Sequence, residues 1–393
     1  MTANSWVLGV LGSGFRLPWA VNPARLTRSP PPVRPPASAE ARDVLDEEVA
    51  GLLSKQAVEE VFRHDSLGFY GRLFVIPKSS GGGRPVLDLS PLNKFLRTKQ
   101  FRMETPASIR ESIRPGDWAT SVDLSDAYFH VLVHPKDRKW LRFRWRDKLL
   151  QFRALPFGLS LAPWAFTRIV REFCLSLRKR GIRIRAYWLI LPTSFQVCNQ
   201  HTQILVREAN TLGFSVNSLK SELVPSQEFT FLGMDFNTVS QTVRPAMSRI
   251  LRLRALLSAL LRRSHASARV LTSLLGMMES LAPLLPLGRL HKREFQRQFR
   301  DRWSQTNHHW DSLVPLRPWL KESTTQWSDN EWLLQGVPIN LPPPTSELFT
   351  DASHFGWGAH MDHLTAAGMC PASATLLPIS LAVHTRSFTW NGP

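Results

Sequence analysis

Cysteine, acidic side chains and long apolar runs are all scarce in this chain of 393 residues. The three cysteines, Cys174, Cys198 and Cys370, have neither the spacing of a metal motif nor the even number of a disulfide framework. Reduced thiols in an intracellular protein are therefore expected. No apolar run reaches the roughly 18 residues of a membrane span. The short apolar run from Trp6 to Phe15 lacks the basic start of a signal peptide, so we expect no membrane partner.

The shortage of acids leaves a strongly basic chain. There are 49 Lys and Arg residues against 31 Asp and Glu residues, which gives a net charge of +18. Such an excess indicates a polyanionic partner, most often nucleic acid and less often an acidic membrane surface. With 43% hydrophobic residues, the chain can bury one large core or two to three smaller ones.

The first part of the chain is rich in proline and arginine, with residues 29–36 at its centre. This composition predicts an extended linker over residues 1–40. From residue 39 to residue 63, apolar side chains recur at helical spacing, and we expect a helix with a further turn through Val58.

Two apolar runs, residues 72–78 and 84–89, are separated by a Ser/Gly cluster and predict a β-hairpin with a glycine tip. Lys78 and Arg84 flank that tip, where glycine amides and two cations could hold a triphosphate. An ordinary solvated hairpin fits the same pattern.

The central stretch, residues 121–131, begins with alternating apolar residues and then places two acids three positions apart. As a strand it would direct Val122 and Leu124 to a core and leave Asp123 at the strand's end. A carboxylate there needs solvent, a cation or a donor. The alternative is that Asp123 caps a helix beginning at Ser125.

An alternating strand over residues 140–145 follows, and then a Leu-Pro-Phe-Gly turn at residues 155–158. This turn leads into an apolar helix whose first turn contains Pro163, a position that proline suits. The glycine of the turn would let another backbone or a base pair approach closely.

Five motifs now stand in the order found in reverse transcriptases. They are residues 78–93, 123–130, 155–163, 212–221 and 231–233. From about residue 40 to its end, the chain resembles the polymerase of retroelements of the tyrosine-recombinase (DIRS-type) group. The resemblance implies an α+β fold in the shape of a right hand, with a ribonuclease H domain after it. It also implies an RNA template, a DNA primer or RNA–DNA hybrid, and deoxynucleoside triphosphates as partners.

The resemblance assigns roles to the residues around the metal ions and the incoming nucleotide. Reverse transcriptases use two Mg²⁺ ions, which Mn²⁺ can replace, to activate the primer 3′-hydroxyl and neutralise the leaving pyrophosphate. Asp123 would be the first metal ligand, with help from the backbone of Leu124. Tyr128 would lie beneath the incoming sugar as the gate against a 2′-hydroxyl, and Lys78 and Arg84 would hold the triphosphate.

The same resemblance assigns the surrounding surface. Pro156, Phe157 and Gly158 would form the floor under the templating base pair. Lys220 would face the nucleotide from the palm.

One motif departs from the family. A second hairpin should carry Tyr-x-Asp-Asp, but Tyr187 is followed directly by Trp188, as though three residues were missing. No acid lies between Glu172 and Glu208. One carboxylate binds Mg²⁺ poorly, so we expect weak metal binding at best. Asp126 is the alternative ligand, although it suits the nucleotide pocket or a local cap better.

The missing residues should also disturb the hairpin itself. Removing an odd number of residues exchanges the faces of the strand that follows. Trp188 and Leu189 would then compete for positions meant for their neighbours. A long strand with a bulge and a disordered hairpin are the two expected outcomes.

Residues 244–302 contain thirteen Arg and Lys against three acids, on two predicted amphipathic helices. In a polymerase this is the thumb, and Arg249, Arg252, Arg262 and Arg263 would contact phosphates; a solvated basic helix is the alternative.

Further along, residues 346–358 resemble the first strand of a ribonuclease H domain. Asp351 would be its first metal ligand. Only Asp362 follows as a further acid, so this site is expected to be incomplete.

The sequence therefore predicts an α+β right-hand polymerase with a truncated ribonuclease H-like segment. We expect a linker at 1–40, fingers and palm at 41–240, a helical thumb and connection at 241–335, and the remnant at 345–393. Three functions remain open: a defective polymerase, an active one whose missing residues are a gene-model error, and a non-catalytic nucleic-acid-binding protein. The oligomeric state stays open.

Overall fold

The computed structural model describes residues 3–22, 25–28, 39–62, 67–77, 83–101, 103–340, 346–353 and 355–369. The chain divides into two compact units, Met1–Ile339 and Asn340–Pro393, and each is described by itself. None of the helices among the described residues is long and apolar enough to cross a membrane.

Helices dominate the second half of the first unit. The α-helices of the described residues are α1 (Ser5–Ser13), α2 (Ala39–Ser54), α3 (Ser90–Asn93), α4 (Pro106–Arg110), α5 (Ala162–Arg178), α6 (Phe195–Thr211), α7 (Met247–Leu261), α8 (Ala268–Leu281), α9 (Gly288–Ser304), α10 (Trp319–Ser323) and α11 (Asn330–Gln335). Short 3₁₀ helices lie between them at Ala127–His130, Pro135–Trp140, Ala186–Trp188, Ala282–Leu284 and Gln326–Ser328.

The strands form small antiparallel sheets. They are β1 (Val58–Glu60), β2 (Arg72–Pro77), β3 (Gly83–Asp88), β4 (Ala119–Ser121), β5 (Arg142–Trp145), β6 (Lys148–Phe152), β7 (Ile184–Arg185), β8 (Leu189–Ile190), β9 (Glu222–Ser226), β10 (Glu228–Phe231), β11 (Met234–Asn237), β12 (Thr242–Pro245), β13 (His265–Ser267), β14 (Leu313–Pro315), β15 (Val337–Pro338), β16 (Phe349–Ala352), β17 (Gly356–Met361) and β18 (Leu364–Met369). Their orders are β1-β6-β5, β2-β3, β7-β8-β4-β9, β10-β11-β12-β15, β13-β14 and β16-β17-β18.

The sheet β7-β8-β4-β9 positions the central stretch. Thr120 pairs with Ile190, and Ser121 pairs with Leu189. Leu189 and Leu191 belong to one apolar cluster, whereas Ile190 belongs to a larger one. Because successive residues of a strand point to opposite faces, β8 is buried on both sides, and its pairing sets the register of β4 beside it.

Several predicted elements are confirmed. The hairpin is β2-β3, and Arg72 at the start of β2 pairs with Asp88 at the end of β3. The residues of its glycine tip, and Lys78 with them, lie outside the described residues. Helix α7 buries Ile250, Leu253 and other apolar residues as predicted.

Four predictions need correction. Val58 begins strand β1, paired with Phe152, and is not part of a helix. The alternating strand begins at Arg142, because the residues before it form a 3₁₀ helix that ends at Trp140. In α7, Leu261 is 36% exposed although the pattern placed it on the apolar face.

The fourth correction concerns the predicted linker. Val7, Val10 and Phe15 are at most 7% exposed and belong to the large core, so residues 5–17 are folded rather than extended. Helix α1 is short and apolar, so tertiary packing must stabilise it, and Trp6 packs on Trp164 of α5 with ring centroids 5.0 Å apart. Residues 29–36 lie outside the described residues.

The second unit contains the antiparallel sheet β16-β17-β18. Asp351 is exposed on β16, opposite Gly358 of β17. Asp362 lies in the turn between β17 and β18, with φ at 52°.

Candidate functional site

Asp123 lies two residues beyond β4, and its side chain is exposed. The backbone around it is hydrogen-bonded to the segment that precedes β9. The Asp123 N–H donates to Ser221 Oγ over 2.9 Å, and the Asn217 N–H donates to the Asp123 carbonyl over 2.8 Å. Leu124 forms a bridge with Val216 between these bonds. The carboxylate is therefore presented to solvent on an anchored backbone.

The capping alternative for Asp123 is wrong. The nearest helical turn begins at Ala127, and the residue before that turn is Asp126. Asp126 has a left-handed backbone (φ 48°), and its carboxylate forms an ion pair with Lys55 at 2.8 Å rather than a cap. The second acid of the motif is thus already engaged by a cation from the end of α2.

The shortened hairpin closes in a way that neither expectation covered. Strands β7 and β8 remain paired, and the 3₁₀ turn Ala186–Trp188 joins them. Tyr187 and Trp188 both adopt positive φ, at 58° and 51°. The two consecutive left-handed residues reverse the chain without extra length, so the hairpin is neither bulged nor lost. The Val122 N–H donates to the Trp188 carbonyl over 3.2 Å, which places this turn beside Asp123.

Burial of one indole stabilises the tight turn. Trp188 is 2% exposed, with its ring 5.2 Å from Phe173 and 5.4 Å from Phe214. Left-handed non-glycine residues cost of order 1–3 kcal/mol each, and they persist only where packing compensates. The predicted competition between Trp188 and Leu189 does not occur, because both side chains are buried on opposite faces.

A buried ion pair holds the base of the hairpin, and sequence reasoning missed it. Arg183 donates to both carboxylate oxygens of Asp117, over 2.7 and 2.9 Å, and also to the Ser112 carbonyl over 2.9 Å. The side chain of Asp117 is fully buried. The two residues are far apart in sequence, and nothing in either local pattern indicates the pairing.

The residues assigned to the pocket floor come together. The Tyr128 ring lies 5.0 Å from Phe157 and 5.8 Å from Phe166. Burial, with a smaller effect from Tyr187, raises the pKa of the Tyr128 phenol. This part of the site therefore offers an aromatic surface with the phenol of Tyr128 at its edge.

Gly158 is the point of closest approach in that floor. Its φ is +104°, and a Cβ there would lie 2.1 Å from the Leu87 carbonyl oxygen of β3. Pro156 beside it is buried. The turn is therefore packed directly against β3, and only glycine fits at position 158.

The remaining pocket residues are only partly described. Lys220 is exposed in the turn that precedes β9. Arg84 lies in β3 opposite Ile76, and its side chain is outside the described part. The predicted triphosphate contacts of Lys78, Arg84 and Lys220 stay predictions.

The four arginines of the helical region differ in their surroundings. Arg252, Arg262 and Arg263 are exposed, as a phosphate-binding surface requires. Arg249 instead donates to the carbonyls of Gly233, over 3.2 Å, and of Ser280, over 3.0 Å. Burial, with a smaller effect of Arg252, lowers the pKa of Arg249. Its guanidinium connects the β10-β11 turn to the end of α8.

The residues present do not fit a two-magnesium centre. Among the described residues, no three His, Cys, Asp or Glu side chains are grouped so that they could hold a metal ion. Mg²⁺ prefers several oxygen ligands in an octahedron. Asp123 stands beside a hairpin turn of Tyr187 and Trp188, neither of which carries a carboxylate.

Comparisons with known proteins show what the central part of the chain is similar to. Residues 76–236 match the family described as reverse transcriptase (RNA-dependent DNA polymerase). The Gag-Pol polyprotein of woolly monkey sarcoma virus is 26% identical over 175 residues, which are 42% of this chain and 10% of that protein. The Transposon Tf2-7 polyprotein of Schizosaccharomyces pombe is 22% identical over 153 residues, 39% of this chain and 12% of that protein. The chain thus spans about a tenth of the length of these relatives.

Solved structures support the fold. A foamy viral protease-reverse transcriptase in complex with double-stranded DNA has a TM-score of 0.65 at 16% identity, covering 90% of this chain and 61% of that one. A related structure in complex with an RNA/DNA hybrid has a TM-score of 0.61 at 15% identity, covering 91% of this chain and 47% of that one. The predicted right-hand polymerase fold is confirmed. Residues 76–236 are thus similar to the reverse transcriptase region of retroviral and retrotransposon polyproteins.

Proposed function

We propose that this chain derives from the RNA-directed DNA polymerase and ribonuclease H of a DIRS-type retroelement and that, as written, it does not polymerise. The observation that carries the proposal is the 3₁₀ turn at Tyr187 and Trp188. It occupies the place beside Asp123 where the family has two further carboxylates. A single exposed carboxylate does not hold the ions that activate a primer hydroxyl.

The geometry also supports an intact scaffold around the missing ligands. The Val122–Trp188 hydrogen bond keeps the hairpin turn next to Asp123. Inserting Leu-Asp-Asp between Tyr187 and Trp188 would therefore bring two carboxylates close to the first one. The aromatic floor of Tyr128 and Phe157 is already assembled.

Primer extension on an RNA template with Mg²⁺ or Mn²⁺ tests this proposal. We expect no extension by the chain as written and extension by the variant with Leu-Asp-Asp inserted. The matched control is Asp123→Ala in the inserted background, which should be silent. Extension by the unmodified chain that Asp123→Ala abolishes would overturn the proposal. Silence of the inserted variant would contradict the intact scaffold.

The competing explanation is a gene-model error. In that case the transcript would encode the three missing residues, and the natural protein would behave like the inserted variant. Sequencing the transcript across the codons for Tyr187 and Trp188 decides between the two.

A second function, nucleic-acid binding without chemistry, is favoured by charge. The net charge is +18, and Arg252, Arg262 and Arg263 are exposed on or next to α7. Structures with this fold have been solved with double-stranded DNA and with an RNA/DNA hybrid. We propose that the helical region binds the phosphates of such duplexes without a metal ion.

Fluorescence anisotropy of a labelled RNA/DNA hybrid in EDTA, at several salt concentrations, measures this binding. The binding constant falls as salt rises, and each lost phosphate contact makes the slope of log K against log salt shallower by about 0.9. We expect the triple Arg→Ala variant at positions 252, 262 and 263 to have a slope that is shallower by about 2–3 units. The triple Arg→Lys variant keeps the charge and should keep the slope. Equal slopes for all three proteins would exclude this surface.

A further inference from the structure

His130 ends the 3₁₀ turn that carries Tyr128, and both of its ring nitrogens are hydrogen-bonded. Nδ1 lies 3.0 Å from the Ala127 carbonyl oxygen of the same turn. Nε2 accepts a hydrogen bond from the Ser215 N–H over 2.9 Å. The imidazole therefore connects two segments that are 85 residues apart.

These partners determine where the proton lies. A backbone N–H can only donate, so Nε2 must be the unprotonated nitrogen. A carbonyl oxygen can only accept, so Nδ1 must carry the hydrogen. The two partners together therefore select the Nδ1–H tautomer of His130.

The bonded segment is the one that faces the candidate site. The Ser125 N–H donates to the Ser215 carbonyl over 2.9 Å, next to the bond from Asn217 to Asp123. Phe214 lies 5.4 Å from the His130 ring and also packs on Trp188. The ring of His130 thereby joins the turn of Tyr128 to the loop that contains Phe214 and Ser215, and this loop in turn contacts the shortened hairpin and the backbone of Asp123.

We infer that His130 is a positioning residue that holds the loop of residues 214–221 against the Tyr128 turn and so sets the width of the nucleotide pocket. It touches no reacting atom; it acts through Ser215 and Ala127. The link to a nucleotide rests on the proposed function, whereas the bonds themselves do not. Sequence reasoning passed over His130, because a histidine after Tyr-Phe has no local pattern that indicates such a role.

The tautomer can be tested on the full chain as it exists. Nitrogen-15 labelling of the histidines distinguishes Nδ1–H from Nε2–H rings by their chemical shifts, and loss of a signal in His130→Phe or His130→Asn assigns the residue. We expect a ring whose Nδ1 carries the hydrogen and whose Nε2 accepts. A ring that carries a hydrogen on Nε2 would overturn the inference, because Nε2 could then not accept from Ser215.

Hydrogen exchange tests the coupling separately. His130→Phe keeps the ring against Phe214 but loses both hydrogen bonds, and His130→Asn can still donate to Ala127. We expect the Ser215 amide to exchange at least about fivefold faster in both variants, since each loses the acceptor for that amide. The amide of Leu205 in α6 serves as the control and should be unchanged. Unchanged exchange at Ser215 would refute the coupling.

The inserted variant then links the loop to the nucleotide. In that background we expect His130→Phe to raise the KM for the deoxynucleoside triphosphate about tenfold, with kcat changed much less. A fall of kcat by about tenfold with KM unchanged would refute a role in setting the width of the pocket. If the inserted variant is silent, the proposed function fails, while the tautomer and the exchange of Ser215 still decide this inference.

Discussion

Replacing Arg183 by methionine should destabilise the first unit by about 3 kcal/mol. The change removes three donated hydrogen bonds, two to Asp117 and one to the Ser112 carbonyl. The fully buried carboxylate of Asp117 would keep the Arg114 N–H, at 2.8 Å, as a donor. Breaking a buried ion pair typically costs about 3–5 kcal/mol. The lower end applies here because the Arg183 side chain is 29% exposed and partly screened by water.

Equilibrium urea unfolding followed by circular dichroism measures this loss. The matched control is Arg180→Met, which breaks a more exposed pair with Glu208. The control should cost no more than about 1 kcal/mol. The double variant Asp117→Asn with Arg183→Met should recover part of the loss, because it leaves no unpaired buried charge. A loss for Arg183→Met no larger than that of the control would refute the reasoning.

Two substitutions and one pH-dependent reaction probe the packing of the first unit. Trp188→Ala should cost about 3–5 kcal/mol in urea unfolding, because it empties the space beneath the left-handed turn. Gly158→Ala should cost at least about 1–3 kcal/mol, since its Cβ would meet the Leu87 carbonyl oxygen at 2.1 Å. Burial raises the pKa of both Cys174 and Cys198 to about 11. In the native chain at pH 8, an added alkylating reagent should therefore modify these thiols very slowly, and the reaction should become faster as the pH approaches 11.

Each of these has its own control. Trp310→Ala removes an indole that is 47% exposed and should change stability by less than about 1 kcal/mol. Gly181→Ala meets the same left-handed strain, at φ +83°, but no atom within 4 Å, so it separates strain from collision. The thiols of the urea-unfolded chain should react at the rate of free cysteine. Fast alkylation of native Cys174 at pH 8 would contradict its burial.

The cysteine prediction has a consequence for stability. Because the folded pKa lies above the unfolded value of about 8.5, burial of the thiols favours the fold most below that pH. The contribution should fade as the pH rises from about 8.5 towards 11. Unfolding measured across this interval should show the decline, and Cys174→Ala with Cys198→Ala should remove it.

Elements that depend on neighbouring residues were predictable from the sequence. The spacing of apolar side chains indicated α7, because one helix face is a local property of the chain. The two apolar runs around a glycine cluster indicated β2-β3 for the same reason. The ordered motifs identified the polymerase fold, and they include Tyr128 and Phe157, whose rings lie 5.0 Å apart.

The sequence also showed that the hairpin after Arg185 lacks acids, but it could not show how the hairpin closes. That outcome depends on whether Trp188 finds a place in the core, and the partners that provide it, Phe173 and Phe214, come from α5 and from the loop after α6. A local pattern allowed a bulge or disorder. Tertiary packing instead stabilised a left-handed turn.

By itself, then, the sequence determined the right-hand polymerase fold and showed that the stretch after Tyr187 lacks acids. Only the tertiary structure decided the pairing of Asp117 with Arg183, the bond between His130 and Ser215, the engagement of Arg249 and the docking of α1. Each of these joins groups that are distant in sequence. Their free energy comes from burial and from hydrogen-bond geometry, which exist only once the chain has folded.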